Sequence, residues 1–177
     1  MRNKIINIIL ILCVLAGIGI LVYPFVSNVL HDRKQDEIIT EYDEQMENLA
    51  EDEKTQMVEA ARQYNEDLIG NVVLSDPFDP AALEKISEDY DDLLNYNGDG
   101  IMGYVEIPRL DVYEAVYHGT SDAVLAKGIG HLANTSLPVG GDGTHSVLSG
   151  HTGLPEAELF SNLEQMEEGD VFYIHVL

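Results

Sequence analysis

The residue with the clearest capacity for chemistry is His151, in the sequence HSVLSGHTGLP that runs from 145 to 155. An imidazole exchanges protons near neutral pH, so a histidine in a glycine-flanked turn after an apolar strand can serve as a general acid or base. Ser146 and Ser149 lie close by as candidate nucleophiles. However, a nucleophile elbow places serine, not histidine, between its glycines. The residues alone leave a structural and a catalytic role for His151 equally open.

The spacing of possible ligands suggests two candidate metal sites, one for zinc and one for calcium. His145 and His151 would share one face of an extended strand, and His131 or His175 would add a further imidazole for zinc. No tight cluster of ligands accompanies them, so a structural role is favoured for His131, His145 and His175. We expect no metal at this position.

The segment 95–106, NYNGDGIMGYVE, resembles a calcium-binding loop, with oxygen ligands at Asn95, Asn97, Asp99 and Glu106. Pro108 follows directly and excludes the helix that should leave such a loop. A polar turn before the first strand is therefore favoured. Calcium binding by a non-catalytic, membrane-anchored acidic extracellular module is kept as the alternative function, and no cofactor is predicted.

The elements that position these residues begin with an apolar segment. Residues 5–30 contain no charged side chain and are long enough to span a bilayer as a helix. Arg2 and Lys4 precede the segment and every acidic residue follows it, which predicts a cytoplasmic N-terminus (1–4) and an extracellular remainder. A cleaved signal peptide is the competing interpretation. The apolar run is longer than such a peptide needs, and no clear small-residue cleavage site follows it.

The charge of the chain limits its partners. The formal net charge is −23, with 32 acidic residues against nine Lys and Arg. A nucleic acid needs a basic surface, so it is excluded as a partner. The single cysteine, Cys13, lies within the apolar segment, so the part outside the membrane has no disulfide.

The rest of the chain divides into three segments: an acidic helical segment at 31–70, a segment at 71–100 with a proline-containing loop at 75–80 and a helix, and a strand-rich segment at 101–177. In the first, three-or-four spacing marks two helical faces, which are Ile38, Tyr42, Met46 and Leu49, then Met57, Ala61, Tyr64 and Leu68. The charged residues 50–54 between them leave open whether one helix or two form. The helix of the second segment is predicted from the spacing of Leu83, Ile86, Tyr90 and Leu94.

In the strand-rich segment, alternation predicts two strands within 103–119 that are joined by a turn at Pro108 and Asp111. Strands are also predicted at 145–149 and 170–176, and short helices at 121–128 and 156–166. About four strands are too few for a closed barrel or a sandwich. The predicted class is therefore mainly β with N-terminal helices, and the sheet is incomplete.

The continuous stretch from Gly103 to Val176 resembles the start of the catalytic barrel of class C sortases, the pilin-polymerising transpeptidases of Gram-positive surfaces. The resemblance is carried by GYVEIP, YHGT, GHLANTSLPVGG, HSVLSGHTGLP and LFSNL, in that order. The N-terminal anchor, the acidic helices and SDPF also match. The resemblance implies about half of an eight-stranded sortase-type β-barrel at 101–177, after a transmembrane helix and acidic helices.

The resemblance also implies a site. His151 corresponds to the family's catalytic histidine, and Asp76, Pro77 and Phe78 correspond to its lid over the active site. The family's cysteine and arginine lie C-terminal to the matched blocks, and the 177 residues hold no counterpart of either. The implied partners are the membrane and pilin subunits with LPxTG-like sorting signals, which the family joins to a pilin lysine through an isopeptide bond. We expect a chain truncated before these residues, inactive as it stands.

Overall fold

The computed structural model describes residues 2–68, 89–155 and 157–177. The predicted lid, Asp76, Pro77 and Phe78, lies outside these residues, as does most of the helix predicted from Leu83 onward. Of that helix, the described part contains only a 3-10 turn at Tyr90–Asp92.

The first helix, α1, runs from Arg2 to Asn48 and includes the predicted apolar segment. It is the one helix among the described residues that is apolar and long enough to cross a membrane, with a mean hydropathy of 3.1 over its most apolar window and none of that window buried. A second helix, α2, spans Glu51–Leu68. Two helices therefore form, a possibility that the sequence left open: the break lies at Leu49 and Ala50, and the charged residues Glu51–Lys54 form the first turn of α2.

A five-stranded sheet follows, with the order β4-β3-β2-β1-β5. Its strands are β1 (Ile101–Ile107), β2 (Val112–His118), β3 (Ile129–His131), β4 (Leu148–Ser149) and β5 (Tyr173–His175). Strands β2 and β3 are parallel and all other pairs are antiparallel. The sheet does not close, because β4 and β5 form its two edges.

Strands β1 and β2 form the predicted hairpin. Pro108 begins a 3-10 turn, and Asp111 adopts a left-handed conformation with a φ of 54° before β2 begins. Between β2 and the parallel β3 lies the predicted short helix, α3 (Asp122–Leu125), whose first turn is capped by the Ser121 hydroxyl. A parallel connection needs such a crossover.

The sheet is covered on both faces. On one face, Val105, Ile107, Val112 and Val116 pack with Ala61 and Tyr64 of α2 and with later loop residues. On the other, Tyr104 packs with the α1 residues Ile39, Tyr42 and Met46 and with Leu49, which follows the helix. Because neighbouring residues of a strand point to opposite faces, β1 serves both cores.

The structure corrects two predictions and adds one strand that was not predicted. The α1 stripe passes through Ile39, which is 1% exposed, and not through the half-buried Ile38. The predicted helix at 156–166 does not form over 157–166, where a 3-10 turn at Leu163–Gln165 is present instead, because Leu159 has a φ of 39°, which interrupts an α-helix. Strand β3 was not predicted, since three residues are too few to show alternation.

Asn65 joins α2 to the loop after β3. Its side-chain amide donates to the Leu137 carbonyl at 3.0 Å and accepts from the Leu137 amide at 2.7 Å, and the residue is 2% exposed. The side chain therefore pairs with the loop backbone as a neighbouring strand would.

Replacing Asn65 by alanine leaves both Leu137 backbone groups buried and unpaired, so the free energy of unfolding should fall by about 2–4 kcal/mol. Gln63→Ala on the same helix, which removes an exposed bond to Asp67, is the matched control and should change it by less than about 0.5 kcal/mol. Denaturant unfolding of the full chain in detergent, followed by circular dichroism, measures both. Equal losses for the two variants would contradict the role assigned to Asn65.

Candidate active site

The strand that precedes His151 is held by both backbone and side-chain hydrogen bonds. β4 has only two residues, which pair with Gly130 and His131 of β3. Before it, the Val147 amide donates to the Thr135 hydroxyl at 3.2 Å and the His145 amide donates to the Ser136 hydroxyl at 3.0 Å. The Leu132 amide also donates to the Val147 carbonyl at 2.8 Å, and the Ser136 amide donates to the His145 carbonyl at 3.0 Å. The loop after β3 thus continues the pairing beyond the short strand through both its backbone and its hydroxyl groups.

The His131 side chain bonds to the loop after β3 and to Tyr90. Its Nε2 lies 2.9 Å from the Ser136 carbonyl, which only accepts, so Nε2 carries the proton and Nδ1 accepts from the Tyr90 hydroxyl at 2.9 Å. The ring is fully buried, and burial lowers the pKa of His131 to about 4, although the bond to Ser136 opposes the shift. A neutral imidazole therefore links β3, the 132–137 loop and Tyr90.

The turn that contains His151 is fastened at both ends to the 157–162 region. The Phe160 amide donates to the His151 carbonyl at 3.3 Å, and the Gly153 amide donates to the Ser161 hydroxyl at 2.7 Å. A Cβ atom at Gly150 would lie 2.6 Å from Ile129 and 2.8 Å from Phe160. Glycine is thus required before His151, because Phe160 fills the space that a side chain would occupy.

The His151 side chain is half-buried. Across residues 2–68, 89–155 and 157–177 its ring makes no hydrogen bond to another side chain. The Ser146 hydroxyl is buried without a partner among these residues, so no Ser–His pair forms. Cys13 lies exposed in the apolar part of α1. Within the described structure, His151 therefore has no nucleophile beside it.

An apolar groove of about 510 Å³ lies along the face of the sheet on the same side as α2. β1, β4 and β5 contribute Val105, Ile107, Leu148 and Ile174, and Phe160 from the turn below His151 closes one side. Phe172 and Ile174 share a face because they alternate in the sequence DVFYIHV, so this part of the groove could have been found from the sequence.

The histidines considered for zinc are not brought together. His131 is buried beside Tyr90, His145 is exposed, and His175 bonds to Glu106 at 2.9 Å while it stacks on Tyr104. Among the described residues no group of three His, Cys, Asp or Glu side chains is arranged to hold a metal ion.

The calcium-like segment forms a turn that uses its own oxygens. The Asn95 side chain accepts from the Gly100 amide at 3.0 Å, and the Asp99 carboxylate accepts from the Ile101 amide at 2.9 Å. β1 begins inside the twelve-residue window, and Glu106 points to His175. This is the polar turn before a strand, and it lacks the exit helix of a calcium-binding loop.

Comparison with known proteins gives one consistent result. A family model described as the Sortase domain matches residues 105–176. Sortase A of Staphylococcus aureus (strain NCTC 8325 / PS 47) is 25% identical over 177 residues, covering 98% of this chain and 68% of the relative.

Two solved structures resemble the chain more closely in sequence. Sortase C of Streptococcus pneumoniae, a structure described for its catalysis and pilin substrate specificity, is 40% identical with a TM-score of 0.66, over 80% of this chain and 68% of that one. Sortase C1 of Streptococcus agalactiae is 34% identical with a TM-score of 0.70, over 80% and 70% respectively.

The open five-stranded sheet and these matches define the fold as that of the sortases, a family of cysteine transpeptidases. The chain belongs to the sortase family, and the solved structures named above are class C sortases. The resemblance read from the sequence is confirmed at this level.

The neutral state of His131 makes stability depend on pH. Because its pKa is lowered from 6.5 to about 4 on folding, the unfolded chain binds the proton first, and the free energy of unfolding should fall by about 3 kcal/mol as the pH drops from 6.5 to 4. Carboxylates also titrate between pH 6.5 and 4. The test therefore compares the pH dependence of the free energy of unfolding in the natural chain with that in His131→Gln. Parallel profiles would show that His131 is not held neutral.

Alanine at Gly150 should displace Phe160 and destabilise the fold by about 1–3 kcal/mol, because the added methyl group overlaps a ring held in place by the groove. The NMR signals of the His151 and Phe160 rings should both shift. Thr152→Ala, at an exposed position of the same turn, serves as the control and should shift neither the Phe160 signals nor the unfolding midpoint. Unchanged Phe160 signals in the Gly150 variant would refute the contact.

Proposed function

We propose that this chain forms the N-terminal part of a membrane-anchored class C sortase that joins pilin subunits, and that His151 is its acid–base residue. The observation that carries the proposal is the place of His151, in a turn fastened to Phe160 at the border of the groove, in a chain 40% identical to a sortase C. Residues 1–4 would be cytoplasmic, 5–30 would be the anchor and the remainder extracellular, with 31–70 as acidic helices.

In the proposed reaction, a cysteine thiolate attacks the threonyl carbonyl of an LPxTG-like signal. His151 donates a proton to the leaving glycine amine, which breaks the peptide bond and leaves a thioester. The amine of a pilin lysine then attacks the thioester carbonyl, and His151 accepts the proton of that amine. The C–S bond breaks, the cysteine leaves as a thiolate, and an isopeptide bond forms. The cysteine, and an arginine that stabilises the developing oxyanion, would come from chain outside these 177 residues.

Asp76, Pro77 and Phe78, in the segment 71–100, are proposed as a lid that covers this site, with the loop 75–80 as its moving part. The catalytic part would be 101–177. The apolar helix and the formal net charge of −23 support a cell-surface enzyme whose partners are the membrane and pilin subunits.

A chimera tests the catalytic assignment. Residues 1–177 are joined to the remaining third of Streptococcus agalactiae sortase C1, and cleavage of an LPxTG-type peptide is followed by mass spectrometry. The chimera should be active, and His151→Ala should reduce its rate at least about 100-fold, since acid–base catalysis typically contributes that much. His145→Ala, which alters an exposed histidine in the same segment, should change the rate less than threefold.

Equal effects of the two histidine substitutions would overturn the role of His151. A folded chimera that binds the peptide but does not cleave it would overturn the proposal that this chain supplies the acid–base residue.

A further inference from the structure

The ring of His151 has no side-chain partner to orient it in the described structure. Within residues 2–68, 89–155 and 157–177, no other side chain forms a hydrogen bond to this half-buried ring. A histidine that transfers protons is commonly held in place by a further group. In this part of the chain, the position of the ring therefore depends on how firmly the 150–155 turn is held.

Two hydrogen bonds join this turn to the segment that follows it. The Phe160 amide donates to the His151 carbonyl at 3.3 Å, and the Gly153 amide donates to the Ser161 hydroxyl at 2.7 Å. The first bond is slightly longer than a typical N–H···O bond, whereas the second is at the short end of the range. The bond at His151 alone would leave the turn free to pivot about it, and the bond at Gly153 removes this freedom.

The backbone at Gly153 needs an external contact to select its conformation. Its φ is +74°, and no atom lies within 4 Å of the place that a Cβ atom would take. Glycine adopts left-handed and ordinary φ values with similar ease, so the residue itself does not favour this one. The Ser161 hydroxyl favours it, because only a turn with this shape brings the Gly153 amide to that oxygen.

The Ser161 hydroxyl is carried by a turn that is fixed to the core. The Ser161 amide donates to the Glu158 carbonyl at 2.7 Å, and Leu159 between them has a φ of 39°. Ala157 and Leu159 are 4% and 3% exposed and belong to the core on the α2 face of the sheet. The hydroxyl therefore has a set position relative to the sheet, and it transmits that position to the turn at 150–155.

We propose that Ser161 is a positioning residue for the acid–base step: by holding the Gly153 amide, its hydroxyl fixes the turn that presents the His151 ring to the reacting groups. The inference rests on the proposed function, in which His151 transfers the protons. It adds a residue that acts on the reaction through His151 and not through the substrate. Because a displacement of about 1 Å can lower a rate by roughly 100-fold, one hydroxyl at this place affects the reaction as well as the fold.

Steady-state kinetics of the chimera described above test this role. Ser161→Ala removes the hydroxyl and should lower kcat by about 10-fold with little change in KM, since a misplaced ring impairs proton transfer and not peptide binding. Ser161→Thr keeps the hydroxyl, so its kcat should stay within about threefold of the parent value. Asn162→Ala is the matched control and should change kcat by less than about twofold. That side chain is also half-buried, but it bonds to Glu158 and Gln165 and not to the turn.

A double-mutant cycle separates positioning from a general structural role. Once the His151 ring is removed, the Ser161 hydroxyl has nothing to position, so Ser161→Ala should lower the rate of the His151→Ala chimera by less than about twofold. A general structural role would lower the rate by the same factor in both backgrounds. Each rate is divided by the folded fraction, which circular dichroism measures at the assay temperature.

NMR of the 177-residue chain in detergent gives a readout that needs no catalysis. In Ser161→Ala, the Gly153 amide should exchange with solvent at least about 10-fold faster, because its bond to the hydroxyl is lost. The signals of the His151 ring should shift in the same variant. Asn162→Ala should leave both the exchange rate and the ring signals unchanged.

A loss of kcat that disappears in the His151→Ala background, together with shifted His151 signals, supports the inference. Equal factors in the two backgrounds, equal losses for Ser161→Ala and Asn162→Ala, or unchanged His151 signals overturn it while His151 keeps its proposed role. If the chimera does not cleave the peptide, or if His151→Ala leaves its rate unchanged, the proposed function fails and the inference fails with it.

Discussion

The arrangement around His151 depends on one buried imidazole. The His131 ring donates from Nε2 to the Ser136 carbonyl, and because burial keeps the ring neutral, its Nδ1 accepts from the Tyr90 hydroxyl. Ser136 and its neighbour Thr135 in turn receive the amides of His145 and Val147, which lead into β4. A strand of two residues could not hold a turn in place by its ladder bonds alone. The backbone bonds of Leu132 and Ser136 to Val147 and His145, together with this buried network, supply further constraints, and burial keeps the proton off the His131 ring.

Much of the fold follows from local patterns. The hairpin of β1 and β2 was predicted because alternation and Pro108 act within a few residues, and the Ser121 cap explains the helix that follows. The helix expected over 157–166 shows the limit of this reasoning. Its spacing is helical, but Leu159 takes a positive φ and Phe160 packs against Gly150, so tertiary contacts override the local preference.

In the candidate site, too, local patterns could be read from the sequence and tertiary contacts could not. His151 stood out in the sequence because its motif is short and contiguous, and its catalytic role stays a proposal. Asn65 and Leu137, and likewise Tyr90 and His131, are far apart in the chain, so no spacing rule could pair them. On α1, the buried stripe passes through Ile39 and not through the predicted Ile38. The reason is that Gln35, one turn earlier on the same face, bonds to β2 and to the Lys127 carbonyl. Long-range polar contacts had to be observed.

The uninterrupted course of α1 has a mechanical meaning. If α1 is the membrane anchor as proposed, a force applied to the domain reaches the bilayer through one continuous helix, with no linker to extend first. The contacts of α1 with the sheet, from His31 to Met46, lie along the direction of that force, so Gln35, the His31–Glu114 pair and the apolar contacts with Tyr104 are loaded together in shear. Contacts loaded in parallel share the strain, whereas contacts opened in sequence fail one by one. The joint between anchor and domain is thus built to resist tension along the membrane normal.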